Sequence, residues 1–194
     1  MATKTLYLVR HGNYEVTTIP PAEPDGPLTD TGREQATLAG HHLHTQPITA
    51  LHYSTAERAA ETAALIAVYF PGLTITAHDE LRECVPSVPA GLEAQLAHIP
   101  AGFIAHSRQQ APRAFATFFR PLAEGEANQS EIIVSHGNLI GYFISQIFQA
   151  PLDAWINADI GNCGISKVEI YGSGRMRLIA HNETSYLPAE LHTY

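Results

Sequence analysis

Two apolar runs in this 194-residue chain each end on a histidine followed by Gly-Asn. The first is Leu6-Tyr-Leu-Val-Arg10-His11-Gly12-Asn13, and the second is Ile132-Ile-Val-Ser135-His136-Gly137-Asn138. An imidazole presented at a strand end can ligate a metal, move a proton or attack an electrophile. Two further residues narrow the choice. Arg10 precedes His11 directly, and Arg58 falls in the first turn of an expected helix, where a cation opposes the helix dipole. Guanidinium groups bind phosphate oxygens in fork geometry, better than an ammonium does. Two arginines and two histidines converging on a helix N-terminus suggest a site for a dianionic phosphoryl group. Taken singly, a strand-end histidine is ordinarily structural and a first-turn arginine ordinarily solvated. A metal site would need three ligands and an open position. His41-His42-Leu43-His44 supplies neighbouring imidazoles, but His41 and His42 diverge on a helix.

The elements that must position these groups follow from hydrophobic period and turn signals. Strands are expected at Leu6–Val9, Ile48–Tyr53, Leu73–Ala77, Glu131–Ser135, Ile165–Tyr171 and Met176–His181. Thr31-Gly-Arg-Glu34 and Ser54-Thr-Ala-Glu57 have the form of capping boxes, opening helices to about His44 and Phe70. Further helices are expected over Gln109–Ala123, with Pro112 in the first turn, and over Asn138–Phe148. Asn13–Leu28 reads as a polar, Pro-rich loop. Asp79–Ala101 reads as loop with at most a short helix, and Pro86–Ile104 should form the rim of the site. Gly172-Ser-Gly174 turns the last two strands into a hairpin. Strands alternating with helices predict an α/β fold, its sheet mostly parallel with an antiparallel edge. In such sheets ligands bind at the carboxyl ends of the strands, where His11 and His136 lie.

Bulk properties exclude several classes of function. The length suits a single domain over residues 1–194 with its own core. A formal net charge of −8 argues against nucleic acid as a partner. No stretch approaches the ~18 apolar residues of a membrane span, so no membrane partner is expected. Cys84 and Cys163 show no metal spacing and read as free thiols. With no signal-peptide pattern at the start, a cytoplasmic location is expected.

Four motifs in order carry a specific resemblance. They are Arg10-His11-Gly12, Leu28-Thr29-x-x-Gly32, Ser54-x-x-x-Arg58-Ala59-x-x-Thr62 and His136-Gly137. Together they resemble the histidine phosphatase superfamily, also called phosphoglycerate-mutase-like, over essentially the whole chain. Leu81-Arg-Glu-Cys-Val-Pro86, the run His136–Phe143, and Ala154-Trp155 leading to Gly161-Asn-Cys-Gly-Ile165 add a finer likeness. They resemble the mitochondrial phosphoglycerate-mutase-like Ser/Thr protein phosphatases and their bacterial relatives. The resemblance implies a three-layer α/β/α sandwich, no cofactor and no metal. It implies that His11 is the nucleophile, forming a phosphohistidine, and that Arg10, Arg58 and His136 hold the phosphoryl oxygens. Glu83 matches the family's acid–base position, with Asp79 and Glu80 as rivals, and Asn13 is read as a further contact to substrate. Neighbouring arginines should keep His11 neutral, whereas a bound dianion should favour His136 as a donor.

The chain departs from phosphoglycerate mutases in reading Asn13-Tyr14-Glu15 after the first motif, where mutases place Glu-Ser. It is also shorter between Glu83 and His136. These departures favour hydrolysis of a phosphorylated protein or small molecule over mutase chemistry. Within that chemistry a small-metabolite phosphatase competes with a protein phosphatase. A non-catalytic phospho-ligand binding module is the competing reading of another class, and a homo-oligomer is left open.

Overall fold

A computed structural model describes residues 2–17 and 24–194. Six strands form one sheet: β1 (Thr3–Arg10), β2 (Ala50–Ser54), β3 (Thr74–His78), β4 (Gln129–Ser135), β5 (Ile165–Tyr171) and β6 (Met176–Glu183). Their order is β3-β2-β4-β1-β5-β6. The first four run parallel, and β5 and β6 close one side in antiparallel fashion. The helices are α1 (Asp30–Leu43), α2 (Glu57–Ala67), α3 (Glu93–Leu96), α4 (Ala101–Phe118) and α5 (Gly137–Ile147). The α/β class with an antiparallel edge stands as the alternation predicted.

Alternation along β1 and β4 builds two cores, because successive side chains face opposite sides of a sheet. Leu6, Leu8 and Ile133 pack with Phe118, Phe119 and Phe143 from α4 and α5. Tyr7, Val9, Ile132 and Val134 pack on the other face with Leu43 and Ile66 from α1 and α2. Small residues on those two helices (Ala36, Ala39, Ala59, Ala63) let them approach the sheet closely.

The two expected capping boxes do not form. Thr29, not Thr31, caps α1, its hydroxyl accepting from the Gly32 N–H at 3.0 Å. The N-cap of α2 is Ala56, which offers no side-chain acceptor; the Ser54 hydroxyl, two residues earlier, accepts from the Ala56 N–H and from His136. Helix α4 starts eight residues before the expected Gln109, and Pro112 lies in its interior. Both Pro112 and Arg108, whose carbonyl loses its partner to the missing N–H, are exposed, so solvent can take the lost bond. The extra turns are held by Phe103 and Ile104, which pack on the core. The segment from Pro86 is only in part an open rim. Ser87 is buried with its hydroxyl accepting from the Trp155 indole at 2.9 Å, and Val85 N–H donates to Ser107. Part of the Asn13–Leu28 loop, residues 18–23, lies outside the described residues.

A backbone contact beside the first strand end sets where His11 can sit. A methyl group on Gly12 would lie 2.6 Å from the Gly32 carbonyl oxygen, and one on Gly32 would lie 1.9 Å from that of Asn13. Only two glycines let the end of β1 and the start of α1 touch. Gly32→Ala should therefore cost about 1–3 kcal/mol of overpacking strain. At roughly 2–4 °C per kcal/mol for a chain of this size, thermal denaturation would read this as a lower midpoint. Gly102→Ala, with nothing within 4 Å of the added methyl, is the control that should show no such loss.

Candidate active site

Parallel pairing puts the two histidines side by side. Arg10 pairs in register with Ser135, so the next residues, His11 and His136, leave adjacent strands at the same level. Their ring centroids are 5.0 Å apart. The backbone at this point is stitched tightly: His11 N–H donates to Ser135 O at 2.9 Å, and Gly12 N–H donates to Thr62 Oγ1 at 3.0 Å. The His11 carbonyl accepts from Asn162 Nδ2 at 3.1 Å.

Hydrogen bonds fix the state of both rings. His11 Nδ1 lies 2.8 Å from the Gly12 carbonyl oxygen, which can only accept, so Nδ1 carries the proton. Its Nε2 lone pair then receives the Arg58 Nε–H at 3.1 Å. His136 is arranged the other way round. Its Nδ1 accepts from Arg58 Nη2 at 2.9 Å, leaving Nε2–H to donate to Ser54 Oγ at 2.7 Å. Both rings are neutral, each with a lone pair turned toward one guanidinium.

Arg58 is itself buried, 3 % exposed, and its Nη1 donates to Pro24 O at 2.7 Å and to Asp25 Oδ1 at 2.9 Å. Arg10 ends β1 directly before His11, with Nη1 on the Ile160 carbonyl. Among the described residues its buried Nε has no hydrogen-bond partner, and it lies 3.7 Å from where a methyl on Gly137 would stand. An unsatisfied buried donor at the first residue of α5, where the helix dipole is positive, is an opening for an anion.

Glu83 reaches the same place from the loop after β3. Its Oε1 accepts from Cys84 N–H at 3.0 Å, and Oε2 makes a long contact of 3.5 Å with the Asn138 N–H of α5. Asp79 is instead engaged outside the pocket by the Thr55 hydroxyl at 2.7 Å. Asn13 Oδ1 accepts from the Thr29 hydroxyl at 2.8 Å and so supports the cap of α1. The four motif residues and Glu83 thus converge, while Asn13 braces a helix. Ser54, Thr62 and Asn162 stand inside the sequence motifs, yet their spacing alone does not show which ring or backbone group each holds. Asp25 carries no signal in the sequence, since its partner Arg58 is 33 residues away. Among the described residues, no group of three or more His, Cys, Asp or Glu side chains could hold a metal ion.

The family model for the histidine phosphatase superfamily (branch 1) matches residues 6–184. This chain belongs to that superfamily. It is accordingly a phosphatase of the histidine type, with the phosphoglycerate-mutase-like fold. It is 33% identical over 195 residues to the mitochondrial serine/threonine-protein phosphatase PGAM5 of Xenopus tropicalis, and 31% identical to that of Xenopus laevis. Each match takes in 97% of this chain and 68% of the relative. The solved structure of Bacillus stearothermophilus YhfR superposes with a TM-score of 0.75 at 21% identity, covering 95% of this chain and all of that one. The expected cytoplasmic location does not stand, because these curated relatives are mitochondrial. Composition reports solubility and charge, whereas a compartment is set by receptor-read signals that a catalytic domain's residues need not contain.

Burial drives the titration of the site. It lowers the pKa of His11 well below the ordinary histidine value, with Arg58 and Arg10 pushing the same way against the Gly12 hydrogen bond. His136 is lowered well below it too, first by burial and then by His11, Arg58, Arg82 and Arg10. The unfolded chain, with histidines near about 6.5, therefore binds more protons than the folded one just below that pH. Stability from these two groups is present above that value and is lost as pH falls. Urea midpoints should accordingly drop between about pH 7 and about pH 5, and more shallowly in His11→Gln. Equal slopes in the two proteins would contradict the assignment.

Proposed function

We propose that the chain hydrolyses phosphomonoesters through a phosphohistidine on His11, without added metal, and that its substrates are phosphoserine and phosphothreonine in proteins. The observation that carries this reading is the Nε2 lone pair of His11, created by the Nδ1–H bond to the Gly12 carbonyl and aimed at a cluster of cationic donors. Attack by Nε2 on phosphorus forms the N–P bond as the ester P–O bond breaks. Arg10, Arg58 and the amide end of α5 neutralise the charge on the equatorial oxygens, the role that arginines and helix termini play in phosphoryl transfer. Supplying that charge from guanidinium groups is why no metal is invoked. The substrate class follows the PGAM5 relatives, which are serine/threonine-protein phosphatases.

The leaving alkoxide needs a proton, and Glu83 can hold one. Burial raises its pKa above the ordinary carboxyl value, against the lowering effects of the Cys84 N–H, Arg58, Arg10 and the Asn138 N–H. After giving up its proton the carboxylate accepts one from water, which attacks the phosphohistidine and releases inorganic phosphate. The two steps return His11 and Glu83 to their starting states.

Purified protein should turn over p-nitrophenyl phosphate and phosphothreonine peptides in the presence of a chelator, and His11→Ala should abolish both. Undiminished turnover by that variant would sink the mechanism, and mutase activity on 3-phosphoglycerate would overturn the hydrolase assignment. Glu83→Gln separates the acid from the nucleophile. General-acid loss costs on the order of 100- to 10,000-fold, and it should fall on alkyl phosphates far more than on p-nitrophenyl phosphate, whose leaving group needs little protonation. An equal loss on both substrates would remove Glu83 from the acid role.

A further inference from the structure

Asp25 makes four polar contacts through one carboxylate. Oδ1 accepts from the Gly26 N–H at 3.0 Å and from Arg58 Nη1 at 2.9 Å. Oδ2 accepts from the Glu57 N–H at 3.0 Å and lies 3.9 Å from Arg82 Nη2. Glu57 is the first residue of α2, whose N-cap Ala56 has no side-chain acceptor. A carboxylate from a distant loop therefore does what a capping side chain would do, and it places a negative charge where the helix dipole is positive. It also resolves the conflict at Arg58, a cation buried in that same first turn. Burial alone would raise the Asp25 pKa, but the Glu57 and Gly26 N–H groups and Arg58 together hold it below the ordinary carboxyl value.

The described residues on either side of this loop are tied to one another and to α2. Glu15 N–H donates to Pro27 O and Thr17 N–H to Asp25 O, both at 2.9 Å. Leu28 is 1 % exposed, and its N–H donates to Glu61 Oε2 on α2 at 2.7 Å. Asp25 and, three residues on, Leu28 are thus both bonded to α2.

Arg58 consequently has two edges with different duties. Nη1 is tied to Pro24 O and Asp25, whereas Nε and Nη2 donate to His11 and His136. A phosphoryl group arriving at His11 Nε2 must displace the Arg58 Nε–H from that lone pair, and the released donors then face its oxygens. We propose that Asp25 is a positioning residue of the pocket: it anchors one edge of Arg58 so that the other edge exchanges between the two histidines and the incoming phosphoryl group. This rests on the phosphatase reading above. The anchor keeps the guanidinium oriented while its partners change, which limits the rotational freedom lost on binding.

A double-mutant cycle on p-nitrophenyl phosphate hydrolysis tests the assignment, with the inhibition constant of inorganic phosphate read alongside. Asp25→Asn should lower kcat/KM by about 10- to 100-fold, the size typical of partners that orient a reacting group's ligand, and should weaken phosphate inhibition. In an Arg58→Ala background the same substitution should cost nothing further in either quantity. Its effect on the melting temperature, which comes from capping Glu57, should persist in both backgrounds. Should Arg58→Ala fail to fold, Arg58→Lys closes the cycle, because it keeps the charge and loses the fork. An equal kinetic loss in both backgrounds, or none in either, would overturn the proposal. Those results in an active enzyme that needs His11 leave the phosphatase reading intact, whereas an inactive wild type, or activity surviving His11→Ala, removes that reading itself.

Discussion

A guanidinium buried among two imidazoles is the constraint from which the rest of the site follows. Arginine offers five N–H donors and accepts nothing, and burial makes any unmet donor costly. Arg58 therefore obliges both histidines to turn a lone pair inward. With that settled, the opposite nitrogen of each ring must carry a proton and find an acceptor. Gly12 O serves His11, and Ser54 Oγ serves His136. Ser54 stands two residues before the N-cap of α2, and the Glu57 N–H at the start of that helix is met from across the structure by Asp25. One buried cation thus accounts for two tautomers and a long-range ion pair.

The sheet supplies the precision that this chain of dependencies needs. His11 and His136 follow paired residues on β1 and β4, and Ser54 ends β2, the other neighbour of β4. Three adjacent parallel strands therefore deliver the His11 ring, the His136 ring and the acceptor that fixes His136. Strand ends move little relative to one another in a sheet whose faces are both packed. The crevice beyond their carboxyl ends is also where free helix N–H groups point, as with Asn138 and Glu83.

Most of the fold was legible because its signals are local. All six strands stand close to the expected places, since alternation and runs of Val, Ile and Leu need no tertiary information. The misread features are those where a side chain is claimed by a distant partner. Ser54 matched a capping box, but α2 begins at Glu57 with Ala56 at its cap, so the Ser54 hydroxyl accepts from the Ala56 N–H and from the distant His136 ring instead. Thr31 matched another, yet Thr29, braced by Asn13, takes the cap nearer the start of the chain. Pro112 signalled a helix start because its cost in a helix interior is real, and only the packing of Phe103 and Ile104 shows that the helix continues through it. In the site, Arg10, His11, Arg58, His136 and Glu83 were visible as motif residues. Asn13 follows the histidine motif, and the bond its Oδ1 accepts from Thr29 at the start of α1 has no local signal. Asp25 was invisible because an ion pair 33 residues apart leaves no periodic trace.

Burial also sorts the protons. Taking a group out of water disfavours its charged form, which is the protonated form of a histidine and the deprotonated form of a carboxyl. The same enclosure therefore lowers His11 and His136 and raises Glu83. A neutral imidazole and a carboxyl that holds its proton more tightly arise together from one cause, without separate tuning of each. Arginine escapes this sorting because its ordinary pKa is so high that burial leaves Arg10 charged. The result is a cationic pocket in a chain whose formal charge is −8. Bulk repulsion of a phosphate dianion is screened beyond about 8 Å at physiological salt, so the approach is governed by the two guanidinium groups at the bottom of the crevice.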